Sequence, residues 1–160
     1  MLRSPAERKQ LLDDRGLIAI VGASSNPLRP SYFVFRYLLT HGFAAYPVNP
    51  AYRDVDGVRC FPTLAAFAAE LRPPDVVDVF RKAADAPQVT REAIQAGAKA
   101  IWFQYGVINQ EAIQTADAAG LAVVVDRCMK VEHARFAGGL TVTGMNSGVI
   151  SAKRRLMGAR

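Results

Sequence analysis

The sequence predicts an α/β protein built on a Rossmann-like, doubly wound parallel sheet of about five strands, with helices on both faces. Strand-like and helix-like segments alternate along the 160 residues, which is typical of a three-layer α/β/α fold. In addition, a continuous apolar run over residues 17–21 meets Gly22 and a small-residue turn before a helix, as in a phosphate-binding junction. The expected strand order is 3-2-1-4-5.

The amino-terminal half begins with a helix over residues 4–14, because Ser4 and Glu7 form a capping box with Pro5 at the first helical position. Periodicity and stop signals such as His41-Gly42 predict the elements that follow. They are a strand from residue 17, a helix over 31–40, a strand over 44–48, a short segment at 58–60 and a helix over 63–71.

The second half repeats the alternation after Pro73-Pro74. A strand over residues 75–81 is rich in valine, and Asp78 inside it is a charge that needs a partner. The remaining predicted elements are a helix between Pro87 and Gly97, a strand over 98–103, a helix over 110–119, a strand over 121–125 and a helix to about residue 136.

Length and charge predict one domain. A chain of 160 residues, 51% of them hydrophobic, suffices for one compact core, which we place at residues 1–136 with an extended or mobile basic tail at 137–160. The net charge of +6 depends on the tail, since residues 1–150 hold 16 basic and 14 acidic side chains. We therefore expect no nucleic-acid partner.

Several features predict a cytoplasmic protein. No apolar stretch approaches the roughly 20 residues of a membrane span, and the first residues lack the apolar core of a signal peptide. Cys60 and Cys128 lie far apart without CxxC spacing, which indicates neither a metal site nor a disulfide framework.

The candidate site lies where the strands end, since ligands of open α/β sheets bind outside the carboxyl ends of the strands. Arg81 ends a buried strand, and its guanidinium either binds an anion or pairs with Asp78 or Asp126. Asn49 stands where a dinucleotide enzyme carries an acidic residue, so it either hydrogen-bonds a nucleotide or shapes a simple turn. The turn after Gly22 also departs from G-x-G-x-x-G, which weakens a dinucleotide interpretation.

The sequence shows no catalytic constellation. There is no G-x-S-x-G elbow and no P-loop, and neither His41 nor His133 follows a strand. Cys128 is the one candidate nucleophile, because Arg127, Lys130 and a helix start lie beside it; a buried, inert thiol is the alternative.

Five motifs in order resemble the small stand-alone CoA-binding proteins, a family similar to the amino-terminal CoA-binding domain of the succinyl-CoA synthetase α subunit. The motifs cover residues 21–24, 47–50, 75–81, 102–107 and 126–130. The resemblance implies a Rossmann-like fold with CoA over the first strand-to-helix turn. The contacts it implies are Gly22, Ala23, Ser24, Arg29, Ser31, Asn49, Pro50, Phe80, Arg81, Gln104 and Gly106. The phosphohistidine domain of the synthetase has no counterpart here, so ligase activity is not implied.

The leading functional hypothesis is non-catalytic binding of coenzyme A or an acyl-CoA, by a sensor, carrier or accessory subunit, with a homodimer or another protein as a possible assembly. One alternative is an NAD(P)-dependent oxidoreductase. The other is a thiol-protecting protein that forms a mixed disulfide between CoA and Cys128.

Overall fold

The computed structural model describes residues 1–2 and 4–137, which form a five-stranded parallel sheet between two layers of helices. The predicted α/β fold class is confirmed. The strands are β1 (Ile18–Val21), β2 (Ala45–Val48), β3 (Asp54–Val55), β4 (Val58–Arg59), β5 (Val76–Val79), β6 (Ala100–Phe103) and β7 (Ala122–Val124). The helices are α1 (Pro5–Asp13), α2 (Pro30–Thr40), α3 (Leu64–Glu70), α4 (Ala86–Gln95), α5 (Gln110–Ala118) and α6 (Met129–Ala137), with a short 3-10 turn at Ala83–Asp85.

The strand order corrects the sequence prediction. The sheet runs β2-β1-β5-β6-β7, so the third main strand, β5, lies beside β1 and not beyond β2 as the order 3-2-1-4-5 required. Every residue of β5 is buried, which suits a central strand, whereas the outer side of β2 is taken by a bridge between Val48 and Phe61. Successive strands are therefore added on one side of β1 up to β2 and on the other side from β5 onward. In such a sheet the ligand crevice opens at this switch point, between β1 and β5.

Two apolar clusters cover the two faces of the sheet. On one face, α1, α2 and α6 pack through residues such as Phe35 and Met129. On the other, α3, α4 and α5 pack through residues such as Phe67 and Val89. Strand positions alternate between these clusters, so that Ile20, Asp78 and Trp102 are in register on the face that carries α2 and α6.

The ends of the helices follow the sequence signals. Ser4 and Glu7 form the predicted capping box of α1, and Thr63 and Asn109 cap α3 and α5. A buried ion pair of 2.7 Å between Arg8 Nε and Glu132 Oε2 joins α1 to α6, which fixes the helix that begins beside the crevice.

The tail expected at residues 137–160 lies outside the described residues, apart from Ala137 at the end of α6. Within residues 1–2 and 4–137, no helix has both the length and the apolar character needed to cross a bilayer.

Candidate functional site

A cleft of about 760 Å³ opens at the carboxyl ends of the strands. Residues that follow β1, β2, β5 and β6 line it, as does Cys128 after β7, so the cleft crosses the whole sheet edge. The residues that line the cleft are Gly22, Ser24, Arg29, Pro30, Ser31, Val34, Asn49, Tyr52, Phe80, Arg81, Lys82, Asp85, Gln104, Tyr105, Val107 and Cys128.

Gly22 brings the β1–α2 turn close to the end of β5. Its φ of +83° is in the left-handed region, and a Cβ there would lie 2.2 Å from the carbonyl oxygen of Phe80 and 2.9 Å from Cδ of Arg81. No side chain fits that space, so the position requires glycine for both conformation and room.

The start of α2 faces this turn without a side-chain cap of its own. Arg29 is the N-cap residue, and its side chain makes no capping hydrogen bond, while Pro30 occupies the first turn. The Ser24 N–H donates to Ser31 Oγ at 3.2 Å, which folds the turn back onto the helix. An uncapped helix start beside a glycine turn is a favourable place for an anion.

Asn49 ties the end of β2 to the same turn. Its Nδ2 donates to the Ala23 carbonyl at 2.7 Å, and its Oδ1 accepts from the Ala51 N–H at 2.9 Å. The Tyr52 hydroxyl lies 3.4 Å from Ser24 Oγ, and this hydrogen bond lowers the Tyr52 pKa. Asn49 thus shapes the turn and lines the cleft at once.

Three cationic side chains, those of Arg29, Arg81 and Lys82, gather at the end of the cleft beside the Gly22 turn, together with the polar side chains of Ser24, Asn49 and Tyr52. Arg81 pairs with neither Asp78 nor Asp126; its Nε lies 3.7 Å from Asp85 Oδ2, and both side chains are more than 40% exposed. Arg29, Arg81 and Lys82 therefore outnumber the single carboxylate among the described lining residues, which favours an anionic ligand.

The opposite end of the cleft consists of Gln104 and Cys128 above the buried Asp78. Gln104 Nε2 donates to Asp78 Oδ1 at 2.7 Å, and this amide is the partner that Asp78 needed. Asp78 is fully buried, its Oδ2 has no partner, and burial raises its pKa to about 7. Burial also raises the pKa of the Cys128 thiol, and the Asp78 carboxyl adds to that shift.

The structure gathers most of the predicted contacts around one space. Eight of the eleven residues line the cleft, and the exceptions are Ala23, Pro50 and Gly106. Ala23 is fully buried, and its carbonyl accepts from Asn49. Pro50 is exposed beyond β2, and the Gly106 N–H donates to Asp126 Oδ1 at 2.9 Å.

Sequence reasoning missed Tyr52, Lys82 and Asp85. Tyr52 follows Asn49 by three residues, and Lys82 and Asp85 lie in the loop after Arg81, so the rule about strand ends could have found them had it been extended by one turn of chain. Within the described residues, no group of three His, Cys, Asp or Glu side chains could hold a metal ion.

A comparison with models of known protein families shows which family this chain belongs to. Residues 17–134 match the model of a family described as a CoA binding domain. The chain belongs to this CoA-binding family. The match spans every strand of the sheet and most of α6, and it confirms the resemblance seen in the sequence.

Individual members give the same result. The chain is 36% identical over 131 residues to the uncharacterized protein YneT of Bacillus subtilis, covering 82% of this chain and 95% of that protein. A hypothetical protein from Pyrococcus horikoshii is 40% identical, with a TM-score of 0.81 over 85% of this chain and 94% of that one.

One solved relative is a much larger enzyme. The dinucleotide-forming acetyl-coenzyme A synthetase 1 of Ca. Korarchaeum cryptofilum is 27% identical, with a TM-score of 0.59 over 67% of this chain. Only 25% of that enzyme is covered, so the CoA-binding fold described here corresponds to one part of it.

Proposed function

We propose that this CoA-binding family member holds coenzyme A or an acyl-CoA in the cleft without chemistry of its own, as a sensor, carrier or accessory subunit. The observation that carries the proposal is the polarity of the cleft. We call its cationic end, with Arg29, Arg81 and Lys82, the nucleotide end, and its uncharged lining at Gln104 and Cys128 the arm end. CoA has the same polarity, since a phosphorylated nucleotide is joined to a neutral amide arm that ends in a thiol. The likeness to part of an acetyl-coenzyme A synthetase supports it.

The extent of the cleft supports a long ligand. The lining residues run from the end of β2 to the end of β7, which are the two outer strands of the sheet. Four spacings of about 4.8 Å give a span of about 19 Å. A ligand can place phosphates at the Gly22 turn and the start of α2, and extend its arm past Phe80 toward Gln104.

A mixed disulfide between CoA and Cys128 is the second candidate, because Cys128 lines the arm end of the cleft. Attack on a disulfide requires the thiolate, and burial raises the pKa of this thiol, which slows that reaction at neutral pH. Reversible binding is therefore the function that the geometry supports better. Both cysteines are free thiols, which agrees with the cytoplasmic setting that we propose.

Isothermal titration of ligand-stripped protein with CoA, acetyl-CoA, NAD and NADP in parallel tests the proposal. We expect selective binding of CoA and acetyl-CoA under reducing conditions. Selective binding of NAD or NADP would replace CoA binding with the oxidoreductase hypothesis. Binding of CoA only after oxidation, and its loss in Cys128→Ser, would favour the mixed disulfide.

A further inference from the structure

The burial of Asp78 lowers the stability of the folded state. It lies in the middle of the central strand β5, in register between Ile20 and Trp102, with an exposed fraction of zero and one carboxylate oxygen without a partner. Replacing such a buried polar pair as a whole by apolar side chains of similar size is often neutral or stabilising. Its presence is therefore not explained by stability.

What Asp78 does provide is a fixed orientation for Gln104. Oδ1 accepts the Gln104 Nε2–H at 2.7 Å, so the nitrogen end of the amide is held inside the protein. A proton on Oδ2, the oxygen without a partner, would leave Oδ1 able to accept from Gln104. The orientation therefore persists whether the carboxyl is ionised or neutral.

The same orientation turns the carbonyl end of the amide toward the cleft. Gln104 lines the cleft, and its Oε1 accepts no hydrogen bond from the described residues. Oε1 is also not among the buried side-chain atoms that lack a partner, so it is open to the cleft. This oxygen can only accept a hydrogen bond, so the arm end is built to receive a donor.

We propose that the Asp78–Gln104 pair recognises the amide-bearing arm of CoA, with Gln104 Oε1 accepting an arm N–H and Asp78 acting as the positioning residue. This inference rests on the proposed function, because it assumes CoA as the ligand with its nucleotide at the cationic end. It goes further by assigning the buried acid a part in specificity: a ligand that lacks the arm gains nothing from the pair.

The test compares CoA with adenosine 3′,5′-bisphosphate, which has the nucleotide and lacks the arm. Titrations use the full chain with Asp78→Leu, Gln104→Met and the double variant. Each single variant should lose about tenfold in CoA affinity, the effect of one hydrogen bond, and bind the bisphosphate like the original chain. Because Asp78 acts through Gln104, the double variant should bind CoA no more weakly than Gln104→Met alone.

Thr90→Val is the matched control, since it also removes a buried polar group. The Thr90 hydroxyl donates to the Ala86 carbonyl within α4, and Thr90 does not line the cleft. This variant should leave both affinities unchanged. Unchanged CoA affinity in Asp78→Leu would overturn the inference, as would equal losses for both ligands or a further loss in the double variant. Failure of the unmodified chain to bind CoA would instead refute the proposed function.

Discussion

The nucleotide end and the arm end of the cleft differ in the exposure and the charge of the side chains that form them. At the nucleotide end, Arg81 and Asp85 are exposed and loosely paired, and the backbone of the Gly22 turn supplies the surface. At the arm end, Asp78 is fully buried and Gln104 is 5% exposed, and a single short hydrogen bond joins them. One end attracts charge from solvent, whereas the other fixes one neutral group.

Because of this difference, the two ends should contribute differently to binding: the nucleotide end to the affinity for phosphorylated ligands, and the arm end to the choice among them. Exposed cations strengthen binding of any phosphorylated ligand at modest cost to the fold. A buried amide with a fixed orientation adds little to general attraction, but it distinguishes a ligand that donates a hydrogen bond from one that does not. Substitutions at the two ends should therefore have different signatures.

The largest effect is expected from Gly22→Ala, which changes the turn between β1 and α2 at the nucleotide end. The new Cβ would lie 2.2 Å from the Phe80 carbonyl oxygen, and backbone must move to admit it. We expect a loss of several kcal/mol in stability, or no folded protein, measured by denaturant unfolding, with CoA binding abolished.

Gly120→Ala is the matched control for Gly22→Ala. Its φ of +81° gives the same backbone strain, yet nothing lies within 4 Å of the added Cβ. It should cost only about 1 kcal/mol and leave binding intact. Equal stability losses in the two variants would show that strain, and not the close approach to Phe80, decides the effect.

The next largest effect is a pH dependence of stability caused by Asp78 at the arm end. Burial raises the Asp78 pKa from 3.8 to about 7, so the folded state holds a proton that the unfolded state releases. The contribution of Asp78 to stability should therefore fall as pH rises through this window, being greatest below pH 4 and lost above pH 7. Asp78→Asn removes the titration, so its stability relative to the original chain should rise by about 3 kcal/mol between pH 5 and pH 8.

Urea unfolding of both proteins at the two pH values measures this difference, and other titrating groups cancel in the comparison. A constant difference between the two proteins would mean that Asp78 does not titrate in this range.

Arg81→Gln should weaken binding at the nucleotide end by about tenfold, the loss of one charged contact with a phosphate. CoA and adenosine 3′,5′-bisphosphate should lose equally, unlike the selective loss expected for Asp78→Leu. Arg91→Gln is the control, because Arg91 pairs with Glu111 between α4 and α5 and does not line the cleft. A CoA affinity that survives Arg81→Gln would remove this side chain from the binding site.

The smallest effect is expected at Cys128. Because burial raises the pKa of its thiol, iodoacetamide should label it more slowly at pH 7 than in the denatured chain, as peptide mass spectrometry can measure. Cys128→Ser should change CoA affinity by less than about twofold, since no charge is lost. Rapid labelling that CoA blocks would favour the mixed-disulfide alternative.

Much of the fold could be predicted from local signals. The capping box of Ser4 and Glu7 predicted the start of α1, and the continuous apolar runs predicted the parallel strands. The strand order could not be predicted in this way, because periodicity says nothing about which side of β1 the strand β5 joins. That choice depends on long-range packing, including the Val48–Phe61 bridge outside β2.

The site was predicted where a strand end implies a position, as for Gly22, Phe80 and Arg81. The sequence marked Asp78 as unusual but could not name its partner, since Gln104 is 26 residues away and meets it only across two neighbouring strands. Asn49 was left between a ligand contact and a turn, and the structure shows it in the turn and on the cleft wall together.

A crystal structure of the chain with CoA tests the central claim most directly. The account predicts phosphates against the Gly22 turn and the start of α2, and an arm N–H within hydrogen-bonding distance of Gln104 Oε1. A reversed ligand with its thiol near Asn49, or CoA bound away from this cleft, would contradict it.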